Sequence, residues 1–173
     1  MSDTGDPRVC IVMGSDSDLP VMAKTAKQLE RLGVEFELHV TSAHRTPERT
    51  VEIIRSAERR GVGVFIAGAG AAAHLAGVVA SHTTRPVLGV PLASSELCGL
   101  DALLATAQMP AGIPVATLAI GAAGAANAAW LAASILALSD EPLAERLQGL
   151  RAEMAEQVVA KSDAAQKKLA DLL

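Results

Sequence analysis

Short apolar runs rich in Val and Ile alternate with longer amphipathic segments along most of the chain. Arg8 to Met13 reads as a buried strand. It ends in Gly14-Ser15-Asp16-Ser17-Asp18, whose small polar side chains can cap a helix running through Leu32 to a stop at Gly33. Glu35 to Val40 alternates as a second strand, Thr41 to Thr46 forms a loop, and Pro47 opens a helix to Arg60 that Gly61 ends. Val62 to Ala67 is a third strand, followed by the small-residue loop Gly68 to Ala73 and a short helix through Ser81. Pro86 to Val90 is a fourth strand. Pro91 to Cys98 leads into a helix around Asp101 to Ala107, and Val115 to Ile120 is a fifth strand before the Ala-rich helix Ala125 to Leu138. Strand and helix alternating through short connections predict an α/β fold with a parallel, doubly wound sheet.

Beyond Pro142, the spacing of Leu143, Leu147, Leu150, Met154 and Val158 marks one long helix with no strand of its own to cover. A chain of 173 residues fits a single domain, residues 1–173, with a core over about 8–138 and a terminal helix over about 141–172. Half the residues are hydrophobic, yet only Phe36, Phe65 and Trp130 are aromatic, so backbones must pack closely rather than around bulky rings. Lys+Arg 15 against Asp+Glu 19 leaves a net charge of −4, with no basic stripe and no stacking platform, which argues against nucleic acid as a partner. Cys10 and Cys98 stand far apart and read as buried free thiols of a reducing compartment. The polar start MSDTGDPR does not resemble a secretory signal. Ala119 to Leu138 comes nearest to a membrane span, but Gly121, Gly124, Asn127 and Ser134 suit a buried helix better. No membrane association and a cytoplasmic location are therefore expected.

In a parallel sheet the loops after the strands collect along one edge, where ligands bind. Four loops with unusual chemistry fall there: Gly14 to Asp18, Ser42 to Thr46, Gly68 to His74 and Gly121 to Asn127. In the first, backbone N–H groups and the hydroxyls of Ser15 and Ser17 suit a phosphate, while a carboxylate such as Asp18 suits ribose hydroxyls; plain helix capping explains the same residues. The second puts an imidazole and a guanidinium side by side. Arg45 can pair with a phosphate and His44 belongs to the residue type that titrates near neutral pH, although surface His-Arg pairs without function are common. His74 either faces the same cleft or is a satisfied core histidine. His39 and His82 read as structural. Neither the dinucleotide glycine fingerprint, a Walker lysine nor a serine-hydrolase elbow is present, and no metal-ligand spacing stands out, so no metal is expected.

Val12-Met13-Gly14-Ser15-Asp16-Ser17-Asp18, Ser42-Ala43-His44-Arg45-Thr46-Pro47, Ala67 to Gly70 with Ala72-Ala73-His74-Leu75, Val87 to Pro91, Gln108-Met109-Pro110 and Ala119-Ile120-Gly121 with Ala123 to Ala128 together resemble the class I N5-carboxyaminoimidazole ribonucleotide mutases. The motifs run in family order from about residue 8 to residue 138. The resemblance implies a three-layer flavodoxin-like sandwich with an extra C-terminal helix, assembled as a homo-octamer. It implies an isomerase of de novo purine synthesis that moves a carboxylate from the exocyclic nitrogen to carbon 4 of the imidazole, without a cofactor. By that pattern Ser15, Asp18 and Arg45 bind the ribonucleotide, with Ser17, Ser42 and the Gly70, Ala71, Ala72 and Ala73 backbone close by. His44 is the expected acid/base and His74 its companion in the pocket. The chain departs from the pattern at Ala71, where relatives often carry Gly, and at Leu19, Ala76, Val78 and Ala122. Ala71 matters most, because a loop position at positive φ is strained without Gly. Two other readings stay open: an aminoimidazole ribonucleotide carboxylase using free CO₂ in the same cleft, and a non-catalytic flavodoxin-like nucleotide-binding module.

Overall fold

The computed structural model describes residues 6–170 and 172–173. Residues 1–5 of the polar start and residue 171 of the expected terminal helix lie outside them. Strands β1 (Val9–Met13), β2 (Phe36–Val40), β3 (Val64–Gly70), β4 (Val87–Leu92) and β5 (Ala116–Thr117) pair in parallel in the order β2-β1-β3-β4-β5. This is the flavodoxin-like order, with the topological switch between β1 and β3. Helices α1 (Leu19–Leu32), α2 (Pro47–Arg59), α3 (His74–Ser81), α4 (Leu100–Ala107), α5 (Ala122–Leu136) and α6 (Glu141–Ala170) complete the described elements together with two short 3-10 turns.

The side-chain alternation of the strands divides the core in two. Val9, Ile11 and Met13 of β1 and Val64 and Ile66 of β3 face the layer containing α1, α5 and the start of α6. Cys10, Val12, Phe65 and Ala67 face the layer of α2, α3 and α4. Both faces are covered, so the inner strands are apolar without interruption, as a parallel sheet requires. Every residue of β1 is buried, whereas β2 is only partly covered along its length. At roughly 1.5–3 kcal/mol for each fully buried aliphatic side chain, β1 and β3 hold the sheet and β2 follows them.

The small residues of α5 do what the composition implied. Ala125, Ala128, Ala129, Ala132 and Ala133 are wholly buried against α1 and the sheet. Gly124 is required there: a Cβ at that position would lie 2.7 Å from the carbonyl carbon of Ala119. By length and hydropathy the window Ala122–Ser139 could cross a membrane, but its Ala face is core packing. The helix also starts earlier than expected, at Ala122, because Gly121 with φ 74° turns the chain into it.

Three further expectations need correction. The fifth strand pairs regularly only at Ala116 and Thr117, although Leu118 N–H donates to Gly89 O and Gly121 N–H to Pro91 O at 2.9 Å. It follows β4 as an irregular edge rather than as a ladder through Ile120. Strand β3 begins and ends later than the apolar run suggested, so Gly70 is the last strand residue, paired with Leu92, and not part of a loop. Cys98 is exposed, not buried: it sits at φ 52° in the bend before α4, where its N–H donates to Ser95 O.

Helix α6 docks through its first half, where Leu150 packs against the core and Glu153 pairs with Arg31 of α1 at 3.4 Å. Leu143 and Leu147 are buried, the Arg146 guanidinium donates to Leu32 O at 2.7 Å, and Arg8 pairs with Asp140, which also accepts from Leu143 N–H. Met154 and Val158, expected on the same buried stripe, are exposed.

Candidate active site

Four chain segments meet at the carboxyl ends of β1, β2, β3 and β4, around the switch point, and enclose a cavity of about 500 Å³. A larger groove of about 920 Å³, lined by His82, Arg85, Pro86 and Ile113 among others, lies toward the opposite edge of the sheet, away from all four segments. Size alone would select the wrong cleft; the chemistry of the lining selects the smaller one.

The loop after β1 is built by capping and is exposed to the cavity at the same time. Ser15 is the N-cap of a 3-10 turn, Asp16–Asp18, that leads into α1. Its Oγ accepts from Ser17 N–H at 3.3 Å, and Asp18 Oδ2 accepts from Ser15 N–H at 3.1 Å, a reciprocal capping box. The capping and ligand-binding explanations of these residues are thus compatible. Partial burial pushes the Asp18 carboxyl above its ordinary value; the backbone hydrogen bonds from Ser15 and Gly14 oppose the shift, and the neighbouring Asp16 adds to it.

The loop after β2 is a closed turn. Thr46 N–H donates to Ser42 O at 2.9 Å, and Ser42 N–H donates to Thr46 Oγ1 at 3.0 Å. Beneath it the buried hydroxyls of Thr41 and Thr50 share a hydrogen bond of 2.8 Å. This scaffold leaves His44 and Arg45 exposed on its rim. Arg45 N–H donates to Ser42 Oγ at 3.2 Å, and the guanidinium donates to Gly14 O at 3.5 Å, which brings a permanent cation beside the Ser15 turn.

After β3 the chain passes through Ala71 at φ 51° and Ala73 at φ 45° before α3 opens at His74. Two non-glycine residues in the left-handed region within three positions are uncommon, at roughly 1–2 kcal/mol each. The strained bend turns His74 back toward the second loop. His44 Nε2 and His74 Nδ1 are 2.7 Å apart, with the rings nearly perpendicular at 79°. One nitrogen must donate and the other accept, so the two imidazoles share a proton position.

The residues that the family resemblance assigns to the site therefore all line this cavity: Ser15, Ser17, Asp18, Ser42, His44, Arg45, Gly70, Ala71, Ala72, Ala73 and His74. The fourth loop, Gly121 to Asn127, does not. Its place is taken by the segment after β4, through Ser94, a residue that the sequence pattern alone does not mark. The signal that could have found Ser94 is positional, since β4 ends at the same sheet edge as β1 and β3. Thr41, Thr46 and Thr50 were also missed, because nothing in a run of threonines announces which hydroxyls will be buried together.

His39 and His82 fall outside the cavity, as expected of structural residues. His82 closes α3. His39 Nε2 lies 3.4 Å from Glu37 Oε2, and Glu37 also pairs with Arg60. Cys10, Glu37 and His39 bring possible metal-ligand atoms within 4.8 Å of one another. The Arg60 guanidinium already balances the carboxylate, and burial, reinforced by Glu37, holds the Cys10 thiol far above its ordinary range. That chemistry suits a neutral thiol in an ion-paired network.

A flavodoxin-like sheet, a rim at its switch point that carries Arg45 and the Ser15 turn, and a hydrogen-bonded histidine pair together form the site of an α/β enzyme. The chain belongs to the AIR carboxylase family, whose model matches residues 8–157. A Pyrococcus abyssi protein named N5-carboxyaminoimidazole ribonucleotide mutase is 55% identical over 154 residues, covering 89% of this chain and 87% of that one. The mutase of the same name from Escherichia coli is 51% identical over 164 residues, covering 94% and 97%. The crystal structure of Treponema denticola PurE superposes with a TM-score of 0.83 at 29% identity, over 91% of this chain and 97% of that one.

Proposed function

We infer that this protein is an N5-carboxyaminoimidazole ribonucleotide mutase, an isomerase of purine biosynthesis that moves the carboxyl group from the exocyclic nitrogen to carbon 4 of the imidazole. Relatives carrying that name at 51–55% identity over most of the chain support the assignment. The observation that carries the chemistry is the His44–His74 pair, 2.7 Å apart in a cavity whose rim holds Arg45 and the Ser15 turn.

In this reading the substrate phosphate rests against the Arg45 guanidinium and the Ser15–Ser17 turn, with Ser42 behind Arg45, and the ribose hydroxyls donate to Asp18. The Gly70-Ala71-Ala72 backbone walls the base end. The reaction asks for proton management rather than for redox change or ATP, because a carbamate is labile and carbon 4 of an aminoimidazole is electron-rich. The N–C bond breaks, its electron pair stays on nitrogen, and a proton from the histidine pair reaches that nitrogen as CO₂ separates. Carbon 4 then attacks CO₂, and the proton displaced from that carbon returns to the pair. His44 is the acid/base, and His74 is its companion, fixing which nitrogen of His44 carries a proton. Imidazole suits the task because its ordinary protonation change falls near neutral pH. Confinement by the small-residue wall makes recapture of CO₂ effectively intramolecular.

The working unit in this reading is one mutase domain over residues 1–173, in a cytoplasmic homo-octamer whose partner is a small-molecule ribonucleotide. The exposed apolar side chains along α6, Met154, Val158 and Val159, support association of copies. Use of free CO₂ as in a carboxylase is the second reading, favoured by the description of the family model.

The histidine roles are tested by measuring binding and turnover on the same variant. His44→Asn should keep ribonucleotide affinity within about tenfold yet lower turnover by at least about 10²-fold, the scale of a lost general acid/base. Normal turnover of His44→Asn beside an inactive His74→Asn would move the acid/base role to His74.

A further inference from the structure

Of the four serines lining the cavity, three have their hydroxyls engaged locally. Ser15 Oγ accepts from Ser17 N–H, Ser17 Oγ lies 2.9 Å from Ser15 Oγ, and Ser42 Oγ accepts from Arg45 N–H. Ser94 is different. Among the described residues its hydroxyl has no protein partner, and its backbone N–H is held by Leu92 O at 3.0 Å. Next in the chain, Ser95 spends its hydroxyl on Asp101 at 2.6 Å, which anchors the segment from behind and holds the Asp101 carboxyl below its ordinary value.

Close packing fixes where Ser94 stands. A Cβ at Gly70 would lie 2.7 Å from Ser94 Cβ and would overlap its Oγ, so the absent side chain at the end of β3 is the space that Ser94 fills. The hydroxyl therefore lies on the backbone wall already assigned to the base end. The sheet order separates it from the phosphate anchor: β2 and β4 are three strand spacings apart, roughly 14 Å at about 4.8 Å per strand. Arg45 follows β2 and Ser94 follows β4. An elongated ribonucleotide with its phosphate on Arg45 directs its imidazole and the substituents of that ring toward Ser94.

We propose that Ser94 holds the migrating carboxyl group, its Oγ–H donating to a carboxyl oxygen of the bound ribonucleotide and keeping CO₂ beside carbon 4 between release and capture. The inference rests on the mutase reading. Ser94 takes no proton and forms no bond to carbon: the N–C bond breaks with its electrons on nitrogen, the histidine pair supplies and recovers the proton, and the hydrogen bond only fixes the position of the CO₂ unit. A neutral donor fits this role, because it can follow the group from carboxylate to CO₂ and back without a change of charge.

Ser94→Ala isolates the hydroxyl. Purified wild type and variant are given N5-carboxyaminoimidazole ribonucleotide, and the aminoimidazole ribonucleotide lost per 4-carboxy product formed is measured after subtraction of the uncatalysed breakdown. Incorporation of ¹³C from labelled bicarbonate into product is followed alongside. The variant should raise both leakage and label incorporation by about tenfold, and weaken binding of the 4-carboxy product by about tenfold, the scale of one hydrogen bond to a charged acceptor. Its affinity for aminoimidazole ribonucleotide, which has no carboxyl group, should stay within about twofold. Ser94→Cys, of similar size with a weak donor, repeats the test if the alanine variant folds poorly. Wild-type values of leakage and of carboxyl-dependent binding in a folded variant would overturn the role of Ser94. Failure of the wild type itself to form product would instead overturn the mutase reading.

Discussion

Asp18 serves two demands with one carboxylate. It accepts the Ser15 N–H that closes the turn, and it stands partly desolvated beside Asp16, which raises its pKa in the folded state. An acid whose folded pKa lies above its unfolded value weighs against folding when ionised. The penalty is absent below the unfolded pKa of about 3.9 and complete above the raised folded value. Asp18→Asn keeps an acceptor for the cap and removes the charge, so thermal melts should show it more stable than wild type at pH 7 and equal to it near pH 3. Ribonucleotide affinity should fall in the same variant, with inorganic phosphate binding unchanged or improved; a lower melting temperature at pH 7 would refute the electrostatic account. Arg45→Ala removes the cation of the rim and should weaken ribonucleotide binding by about 2–3 kcal/mol, measured by calorimetry. Ala71 is the converse case of a residue whose difficulty was legible beforehand. The bend is made here by a non-glycine residue at φ 51°, so Ala71→Gly should stabilise the fold by about 1 kcal/mol in denaturant melts. A shared pocket for His44 and His74 is implied by the family resemblance, but their hydrogen bond is not legible in the sequence, because it depends on two left-handed alanines turning α3 back toward a loop thirty positions earlier in the chain.

Among the elements, the strands that the apolar pattern marks best are those buried on both faces. β1 stands within one residue of its expected start because Val-Cys-Ile-Val-Met has no other way to be satisfied. Strand β3 was misplaced at its end, where Gly68, Ala69 and Gly70 have little intrinsic strand preference; pairing with Val90, Pro91 and Leu92 imposes the extended form. β5 erred the other way, since an edge with a neighbour on one side satisfies its backbone without a full ladder. Helix α6 was legible as a helix, and its docking was not. Its attachment depends on Arg8 and Asp140, far apart in sequence, and on Arg146 closing the end of α1. The hydrogen bond from Arg8 is the main cause that lowers the Asp140 pKa. A depressed folded pKa contributes stability that is present above the unfolded value of about 3.9 and is lost as pH falls through the folded one. Limited proteolysis should therefore cut within α6 faster for Asp140→Ala than for wild type at pH 7, and the difference should shrink as pH falls below about 4.

At the scale of the whole molecule, composition already implied that this chain packs backbone against backbone, and the buried alanines of α5 bear that out. The outer half of α6 exposes Met154, Val158 and Val159, beyond the buried Leu143 and Leu147 and the Arg31–Glu153 ion pair of 3.4 Å that tie the helix to the body. Light scattering at micromolar concentration should report an octamer, and a monomer there would contradict the proposed assembly. The central claim concerns chemistry, and one comparison reaches it directly. The protein is mixed, without ATP, with freshly made N5-carboxyaminoimidazole ribonucleotide in one cuvette and with aminoimidazole ribonucleotide plus bicarbonate in another, and 4-carboxy product is followed by absorbance. The mutase account predicts rapid product formation in the first and far slower formation in the second. Turnover confined to the second cuvette would contradict it in favour of a carboxylase, and inertness in both would leave a binding module.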